Sequence, residues 1–231
     1  MTRLLAFFIL TLSLSSCYTT QYFVGTKYKL EKVNSTSERS SMGYSDNNMY
    51  IDEYISITPV VSNPLISLQV ENLHNSSIKI LWNETSYVDY TGKAHRIVHK
   101  GINPTDKEIS HIPTIIPAGS HIEDTVAPID CITFDEEHWI TTPVNDYENY
   151  KFNKREQAES LAEECQKNPN ISQCQLLLPL EIDGEKVEYT LNFIGDKFYV
   201  DSEKVTDTST TTTAIGMSIL GVVLISLLFL L

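Results

Sequence analysis

The sequence predicts an all-β, antiparallel fold, and three observations support that class. Tyr and Phe are abundant, with 12 and 8 copies in 231 residues, and such side chains suit a pleated, half-buried surface. Short segments of alternating apolar and polar residues recur about every 8–15 residues, separated by Gly, Pro and Asn turn signals. A single segment has the periodicity of an amphipathic helix. Together these features indicate a two-sheet antiparallel sandwich with one helical insertion.

The first strands are predicted in the N-terminal half. Tyr22–Leu30 is rich in β-forming residues, and after a Ser/Asn/Gly-rich loop the segment Tyr50–Thr58 alternates until Pro59 ends it. Leu65–Val70 and Ile78–Trp82 each alternate with a period of two, and turn residues separate them. This arrangement predicts a hairpin between those two strands.

The remaining strands follow the same logic. A hairpin is predicted around Thr91-Gly92-Lys93, between Tyr87–Tyr90 and His95–His99. Further strands are predicted at His121–Val126, Leu176–Ile182, Val187–Phe193 and Phe198–Val200.

The helical insertion is predicted near residues 153–167. Ala158, Leu161, Ala162 and Cys165 fall on one face of that segment, and Pro169 stops it.

The N-terminus has the pattern of a secretory signal over residues 1–16, with Arg3 before an apolar stretch from Leu4 to Leu14. The stretch Leu14-Ser15-Ser16-Cys17 matches a lipobox, in which Cys17 becomes the lipid-bearing first residue. A plain secretory signal with an incidental Cys is the alternative. A membrane span is excluded for this stretch because spanning needs about 20 apolar residues.

The C-terminal residues 214–231 contain no charged side chain and are just long enough to cross a bilayer as a helix. We favour a transmembrane anchor over a cleaved sorting tail or a lipid-attachment signal. The sequence thus divides into a signal (1–16), a lipidated N-terminus and linker (17–21), a β-domain (22–201), a Ser/Thr-rich linker (202–213) and the anchor. The Asn-x-Ser/Thr sequons at Asn34, Asn75, Asn83 and Asn170 are attributed to chance.

The charge balance excludes some classes of binding partner. The chain has 17 Lys and Arg against 30 Asp and Glu, a net charge of −13. Nucleic-acid backbones and anionic lipid surfaces attract clustered basic residues, so neither nucleic acid nor electrostatic adhesion to lipid is expected. Membrane lipid is expected as a partner only through Cys17 and the C-terminal helix.

Residues 78–128 contain a spaced series of motifs, which are Ile80-Leu81-Trp82, Ser86-Tyr87-Val88-Asp89, Gly92, Arg96, His99, Gly101, Ile112-Pro113, Ile116-Pro117-Ala118-Gly119-Ser120, Asp124 and Pro128. This series resembles a family of uncharacterised bacterial envelope lipoproteins. It implies an immunoglobulin-like sandwich on a lipid anchor and carries no catalytic activity. The C-terminal apolar tail departs from that family.

Three cysteines remain if Cys17 carries lipid. Cys165 and Cys174 bracket a short loop around Pro169, and an exported protein permits a disulfide, which we expect between them. Cys131 is then left over and is expected to be a small buried apolar side chain.

No metal site is predicted. His95 and His99 are four residues apart, but on a strand this spacing is about 13 Å, too far for one metal ion. We expect instead a polar network of Asp89, Arg96 and His99, with an Asp89–Arg96 pair holding the turn at Gly92. The cluster Asp135-Glu136-Glu137-His138 beside Trp139 lacks the alternation of a calcium loop and is expected to be solvated.

The sequence contains no nucleophile elbow, phosphate-binding Gly loop or zinc-protease motif, and no cofactor is expected. The leading hypothesis is a non-catalytic structural or interaction module of the cell envelope, anchored to a membrane on its non-cytoplasmic side, with an envelope protein or glycan as partner. One alternative is a hydrolase with a site near His99 and Asp124. Another is an adhesin that binds carbohydrate or peptide through exposed Tyr and Trp side chains.

Overall fold

The computed structural model describes residues 18–37, 44–46, 48–102, 111–135 and 138–206. The strands are β1 (Tyr18–Ser35), β2 (Tyr44–Asp46), β3 (Met49–Ile51), β4 (Ile55–Ser62), β5 (Leu65–Asn72), β6 (Ile78–Ile80), β7 (Ser86–Val88), β8 (Ala94–His99), β9 (Thr114–Ile116), β10 (His121–Pro128), β11 (Ile132–Asp135), β12 (His138–Thr141), β13 (Cys174–Ile182) and β14 (Glu185–Thr206). An α-helix, α1, spans Arg155–Lys167. Short 3-10 turns occupy Trp82–Glu84, Ile129–Cys131, Asp146–Asn149 and Pro169–Ser172.

Twelve of these strands form one antiparallel sheet that curls back on itself. Its order is β1-β14-β13-β7-β8-β10-β5-β4-β3-β2, with β6 pairing with β13 and β9 pairing with β6. β1 comes to lie against β4, so the sheet is nearly closed and barrel-like. The hairpin β11–β12 stands apart. The predicted all-β, antiparallel class with a single helix is confirmed for the described residues.

Strand β8 makes this fold different from a sandwich of two separate sheets. This strand pairs with β7 on one side and with β10 on the other, and it thereby joins the two halves of the sheet. The halves face one another across a common core that contains Trp82, Tyr87, Tyr189 and Phe193, each almost fully buried. Burial of these large side chains supplies the main driving force for closing the sheet.

Several predicted strands have different partners from those expected. β5 pairs with β4 and β10, whereas β6 pairs with β13 and β9, so the predicted hairpin between these strands is not formed. Pro59 lies inside β4 rather than ending it. Its carbonyl faces away from β5 and accepts a hydrogen bond from Asn48, so its missing N–H leaves no gap in the β4–β5 ladder.

Parts of both predicted linkers belong to strands. β1 starts at Tyr18 and pairs with β14 through to Thr206, so residues 18–21 and 202–206 are strand. These residues are rich in Thr and Tyr, which suit an exposed strand as well as a linker. The predicted signal and C-terminal anchor lie outside the described residues, as does Cys17.

The helix α1 lies where the sequence predicts it. Ala158, Ala162 and Cys165 face a second core cluster against Val24 and Phe198 of β1 and β14. The helix ends at Lys167, two residues before Pro169, which cannot continue a helical hydrogen-bond ladder.

Candidate functional site

The turn between β7 and β8 is held by Asp89. Its Oδ1 accepts hydrogen bonds from the main-chain N–H groups of Thr91 (2.8 Å) and Lys93 (3.0 Å), and Gly92 supplies the positive φ of 87°. Its Oδ2 lies 3.0 Å from Nε2 of His95. Asp89 was expected to hold this turn through a pair with Arg96; here His95 is a basic side chain that contacts its carboxylate.

His95 is buried between two carboxylates. Its Nδ1 lies 2.8 Å from Oδ1 of Asp130, and Lys93 also reaches Asp130 at 3.2 Å. Burial alone would raise the pKa of both Asp89 and Asp130. Hydrogen bonds outweigh this effect and lower both pKa values. Asp89 receives them from Thr91 and His95, and Asp130 receives them from His95 and Lys93. The cluster ties the β7–β8 turn to the start of the segment after β10.

His99 belongs to a different contact. Its Nδ1 lies 3.0 Å from Oδ2 of Asp124, and Oδ1 of Asp124 accepts the N–H groups of Lys100 and Thr125. One ring face of His99 stacks on Trp82 at 4.5 Å between centroids, and His111 meets the ring edge-on at 5.1 Å. The hydrolase alternative requires His99 and Asp124 to converge in an open pocket; they lie side by side, and both side chains are only 11% exposed.

The predicted network of Asp89, Arg96 and His99 is therefore not one unit. Asp89 joins His95 and Asp130, whereas His99 joins Asp124. Arg96 lies opposite Ser86 in the β7–β8 register. As expected for a strand, the His95 and His99 rings are held by different carboxylates.

The cysteines depart from the expected pairing. Cys131, Cys165 and Cys174 are all free thiols, so the predicted Cys165–Cys174 disulfide is not formed in this structure. Cys165 packs in the cluster beneath α1, whereas Cys174 packs in the main core beside Tyr87. Burial raises the pKa of Cys165 to about 11 and that of Cys174 to about 12. The short loop between them places the two side chains in separate clusters.

A cavity lies where the curled sheet nearly closes. We call it the seam cavity, and define it by residues 23–28 of β1 on one side and residues 60–63 of β4 and its turn on the other. Its volume is about 500 Å³. Pockets with a few convergent polar groups are the usual places where proteins bind ligands, so this cavity is the candidate functional site.

Asn48 closes one end of the seam cavity. Its side-chain Oδ1 accepts the Leu30 N–H at 2.6 Å, and its Nδ2 donates to the Pro59 carbonyl at 2.6 Å. The residue has a φ of 62°, a left-handed conformation that Asn tolerates better than most residues. One side-chain amide therefore connects the main chains of β1 and β4.

Glu148 joins β1 to the turn that follows β4 at the cavity. Its carboxylate accepts hydrogen bonds from Asn63 (2.5 Å), Tyr147 (3.3 Å) and Tyr28 (3.4 Å). Burial raises the pKa of Glu148, although these hydrogen bonds oppose the shift. Burial also raises the pKa of Tyr28, and the nearby charge of Glu148 raises it further. A carboxyl group perturbed in this way and placed in a cavity is typical of a functional site.

Aromatic side chains form the outer wall. Tyr199 lies against Gly25, where an added Cβ would come within 2.6 Å of the tyrosine ring. Lys151 lies 4.0 Å above the ring of Phe23 and pairs with Glu203 at 3.1 Å. Gly25 is therefore required for the close approach of Tyr199 to the main chain of β1.

Sequence reasoning missed this cavity entirely. Asn48, Asn63 and Glu148 carry no shared motif, and the contacts that join Glu148 to Tyr28 and Asn63 cross 120 and 85 residues of sequence. The segment from Asn145 to Asn149 is dense in side chains that accept or donate hydrogen bonds. That density was the one signal in the sequence that pointed to this part of the chain.

The other predicted positions add little to this site. Trp82 is 1% exposed and donates to Thr114, which argues against an aromatic binding surface at this residue. Glu136 and Glu137 of the acidic cluster lie outside the described residues. Within the described ranges, no group of three or more His, Cys, Asp or Glu side chains could hold a metal ion, and no helix is long and apolar enough to cross a membrane.

Comparisons with known proteins returned no relatives: no protein-family model, no curated protein and no solved structure matches this chain.

Proposed function

We propose that the protein is a membrane-anchored module of the cell envelope that binds a partner without catalysing a reaction. The observation that carries this proposal is the pairing of Tyr18 with Thr206, at the outer end of β1 and β14. The two predicted anchors, Cys17 and residues 214–231, adjoin these two strand ends in the sequence.

This pairing supports attachment to a single bilayer. Directly opposed residues of antiparallel strands have Cα atoms about 4.5–5.5 Å apart. The seven residues 207–213 extend at most about 25 Å. A lipid on Cys17 and a span at 214–231 would therefore enter the membrane side by side, with the β-domain on its non-cytoplasmic face.

The side chains of the histidine clusters support a non-catalytic role. His95 has a carboxylate at each ring nitrogen, and His99 is stacked on Trp82 with Asp124 at Nδ1. The Ser67 and Thr125 hydroxyls near Asp124 are 2.9 Å apart and bond to each other. These contacts stabilise the joint between the two halves of the sheet.

A hydrolase remains the second candidate because His99 and Asp124 do form a hydrogen-bonded pair, the arrangement that orients a general base. It is disfavoured by the packing on His99, since Trp82 covers one ring face and His111 meets the ring edge. Replacing His99 with Gln tests it: a hydrolase would lose activity toward ester or glycoside substrates while retaining its fold.

The same proposal includes an immunoglobulin-like fold for the β-domain. It is supported by two facing halves of an antiparallel sheet around one core, with Tyr50 meeting Tyr189 edge-on at 6.0 Å across it. Continuous pairing through β8 distinguishes this chain from two fully separate sheets.

The anchors are tested by labelling cells with radioactive palmitate. We expect the wild-type protein and Cys131→Ala, the matched control, to incorporate label, and Cys17→Ala to incorporate none. Membrane fractionation then tests the contribution of each anchor separately. Cys17→Ala and a variant truncated after Thr213 should each remain in the membrane fraction, and only the combined variant should be released. Equal labelling of Cys17→Ala and wild type contradicts lipidation, and release by either single change contradicts two independent anchors.

A further inference from the structure

The outer end of the β1–β14 ribbon has two different faces. Val24 and Val200, which pair with each other, pack in the cluster beneath α1. Because side chains of a strand alternate between its faces, Tyr18, Tyr22 and Lys204 lie on this same face. Tyr18 and Lys204 are exposed, so the face that carries α1 continues outward as an accessible surface.

The start of α1 lies beside this surface. Tyr22 exchanges two main-chain hydrogen bonds of 2.8 Å with Phe152, and the helix begins three residues later. Lys154 and Arg155 at its start are both exposed, and Arg155 lies near Tyr22. The structure thus groups two aromatic and three basic residues, which we call the anchor face: Tyr18, Tyr22, Lys154, Arg155 and Lys204.

The charge at this end is opposite to that of the whole chain. Residues 18–22, 150–155 and 200–206 contain four Lys or Arg and two Asp or Glu, whereas the whole chain contains 17 and 30. The two acidic residues, Asp201 and Glu203, alternate with Lys204 and therefore point to the other face of the ribbon. Glu203 pairs there with Lys151. The anchor face is consequently basic, which the overall charge conceals.

The two predicted anchors hold this face close to a membrane. Cys17 directly precedes Tyr18, the first residue of β1, so no linker separates a lipid on Cys17 from the strand. Tyr22 follows Cys17 by five residues, about 17 Å along an extended strand. On the other side, residues 207–213 extend at most about 25 Å and leave room for the ribbon to tilt.

The residue types match the chemistry of a bilayer surface. Tyrosine is enriched at the membrane–water interface, where its ring and its hydroxyl find apolar and polar surroundings. The long side chains of Lys and Arg extend to the headgroups, and anionic lipids attract them. Arg155 pairs with Glu159 at 2.7 Å through Nε, and its remaining guanidinium N–H groups can donate to a phosphate.

We propose that the anchor face lies against the anionic phospholipid headgroups of the membrane that holds the two anchors. This inference rests on the proposed function, and it names the lipid partner and the orientation of the β-domain. Phe23 and Tyr199, which line the seam cavity, alternate with Tyr22 and Val200 and lie on the opposite face of the ribbon. The seam cavity then faces away from the membrane, where it is accessible to a partner.

The test measures the distance of two positions from the lipid headgroups. Full-length protein is placed in lipid discs containing phosphatidylglycerol and a phospholipid with a nitroxide quencher on its headgroup. A bimane fluorophore is attached at Asn153→Cys, beside the anchor face, or at Ile115→Cys, each in a Cys131→Ala background. Ile115 is a matched control because it is 58% exposed and cross-strand pairs connect it to Lys186 at the far end of β14.

We expect the nitroxide to quench the fluorophore at residue 153 and to leave that at residue 115 nearly unchanged. Equal quenching at both positions, or none at residue 153, overturns the proposal. A second copy of the chain on this face would instead shield residue 153 from a water-soluble quencher in detergent micelles, increasingly with protein concentration. That result also overturns it.

Charge substitutions test the attraction itself. Each basic residue near an anionic surface strengthens attachment about fivefold, so replacing Lys154, Arg155 and Lys204 together with Gln should weaken it about a hundredfold. Quenching at residue 153 should then fall to the level seen at residue 115, as it should in discs of phosphatidylcholine alone. The control replaces three lysines remote from the face with Gln, which changes the net charge equally: Lys32, Lys79 and Lys186. Quenching that is unchanged by the anchor-face substitutions overturns the proposal.

Failure of the anchors gives a different result. A protein that does not enter the discs contradicts the two anchors rather than the anchor face. The same protein is then mixed with preformed vesicles of phosphatidylglycerol. Binding that the anchor-face substitutions abolish and the control substitutions retain supports the proposal, whereas no binding, or equal binding by both variants, overturns it.

Discussion

Tyr18, the first residue of β1, lies directly opposite Thr206, the last residue of β14. From this pair the two strands remain in register inward to Val24 and Val200, and they bring the ends of the described chain together. The outer end of this ribbon is exposed at Tyr18, which is 61% exposed. Its register therefore depends on main-chain pairing more than on burial, and it can be tested directly.

A disulfide should trap this register. Thr20 lies opposite Lys204, at a Cα separation of about 4.5–5.5 Å, which is within the range for a disulfide. We expect Thr20→Cys with Lys204→Cys to oxidise readily, giving a faster-migrating band on non-reducing gels.

The matched control moves one cysteine by a residue, to Thr20→Cys with Glu203→Cys. Adjacent residues of a strand point to opposite faces, so this pair should remain reduced under the same mild oxidation. Equal oxidation of the two variants would show that the ribbon is frayed or paired in another register.

Replacing Asn48 should destabilise the fold. Asn48→Ala leaves the Leu30 N–H and the Pro59 C=O without their bridge and places Ala in a left-handed conformation, for an expected loss of about 2–4 kcal/mol in the free energy of unfolding. Urea denaturation measures it.

Asn48→Gly separates the two causes. Glycine adopts the φ of 62° without strain, so this variant loses the bridge alone and should be about 1–2 kcal/mol more stable than Asn48→Ala. An Asn48→Ala protein as stable as wild type would mean that the amide bridge contributes nothing to closing the sheet.

The strands and the helix could be predicted because their signals are local. α1 was found from four apolar positions on one face and a following Pro169, and the β7–β8 turn was found from Gly92 with Asp89 beside it. His99 and Asp124, named together in the hydrolase alternative, are also in contact. In each case the relevant residues lie within about 25 positions of one another.

The pairing of distant strands could not be predicted in this way. β6 has the alternation of a hairpin partner for β5, yet it pairs with β13, about a hundred residues away, because Ile78 and Ile80 are completely buried there. The seam cavity is still less visible, since Asn48 acts through main-chain groups of β1 and β4, and Glu148 acts through side chains that are distant in the sequence. Alternation of residue types contains no information on which edge remains open.

Gly25 should be intolerant of a side chain because of Tyr199. In Gly25→Ala the new Cβ would come within 2.6 Å of the tyrosine ring, and displacing that ring should cost about 1–3 kcal/mol of unfolding free energy. Removing the ring should abolish the cost. We therefore expect Gly25→Ala to be nearly neutral in a Tyr199→Ala background, as a double-mutant cycle with thermal or urea denaturation would show. Additive effects would place the strain elsewhere.

The pH dependence of stability should include a contribution from Glu148. Burial raises its pKa in the folded protein above the unfolded value near 4.5. The folded state therefore binds this proton more tightly. The stabilising contribution is complete below the unfolded pKa and is lost as the pH rises through the folded pKa, by about 1.4 kcal/mol for each unit of difference.

Glu148→Gln should remove this dependence because the amide does not ionise. Its oxygen can still accept from Asn63, and the hydroxyls of Tyr28 and Tyr147 can rotate to accept from its NH2 group. The exposed Glu156→Gln serves as a control and should leave the profile unchanged. A wild-type profile that matches that of Glu148→Gln at every pH from 4 to 8 would show that burial does not shift this carboxyl group.

Thiol labelling should distinguish free cysteines from the expected disulfide. At pH 8 a thiol with a pKa of about 11, such as Cys165, is ionised to about one part in a thousand, and Cys174 still less. Both are also buried, whereas Cys131 is partly exposed. Iodoacetamide should therefore modify Cys131 first in the folded protein, and peptide mass spectrometry should find Cys165 and Cys174 modified after urea is added without any reductant. If these two sites react only after reduction, the thiols are joined in solution, and the packing of Cys165 beneath α1 must differ from that described.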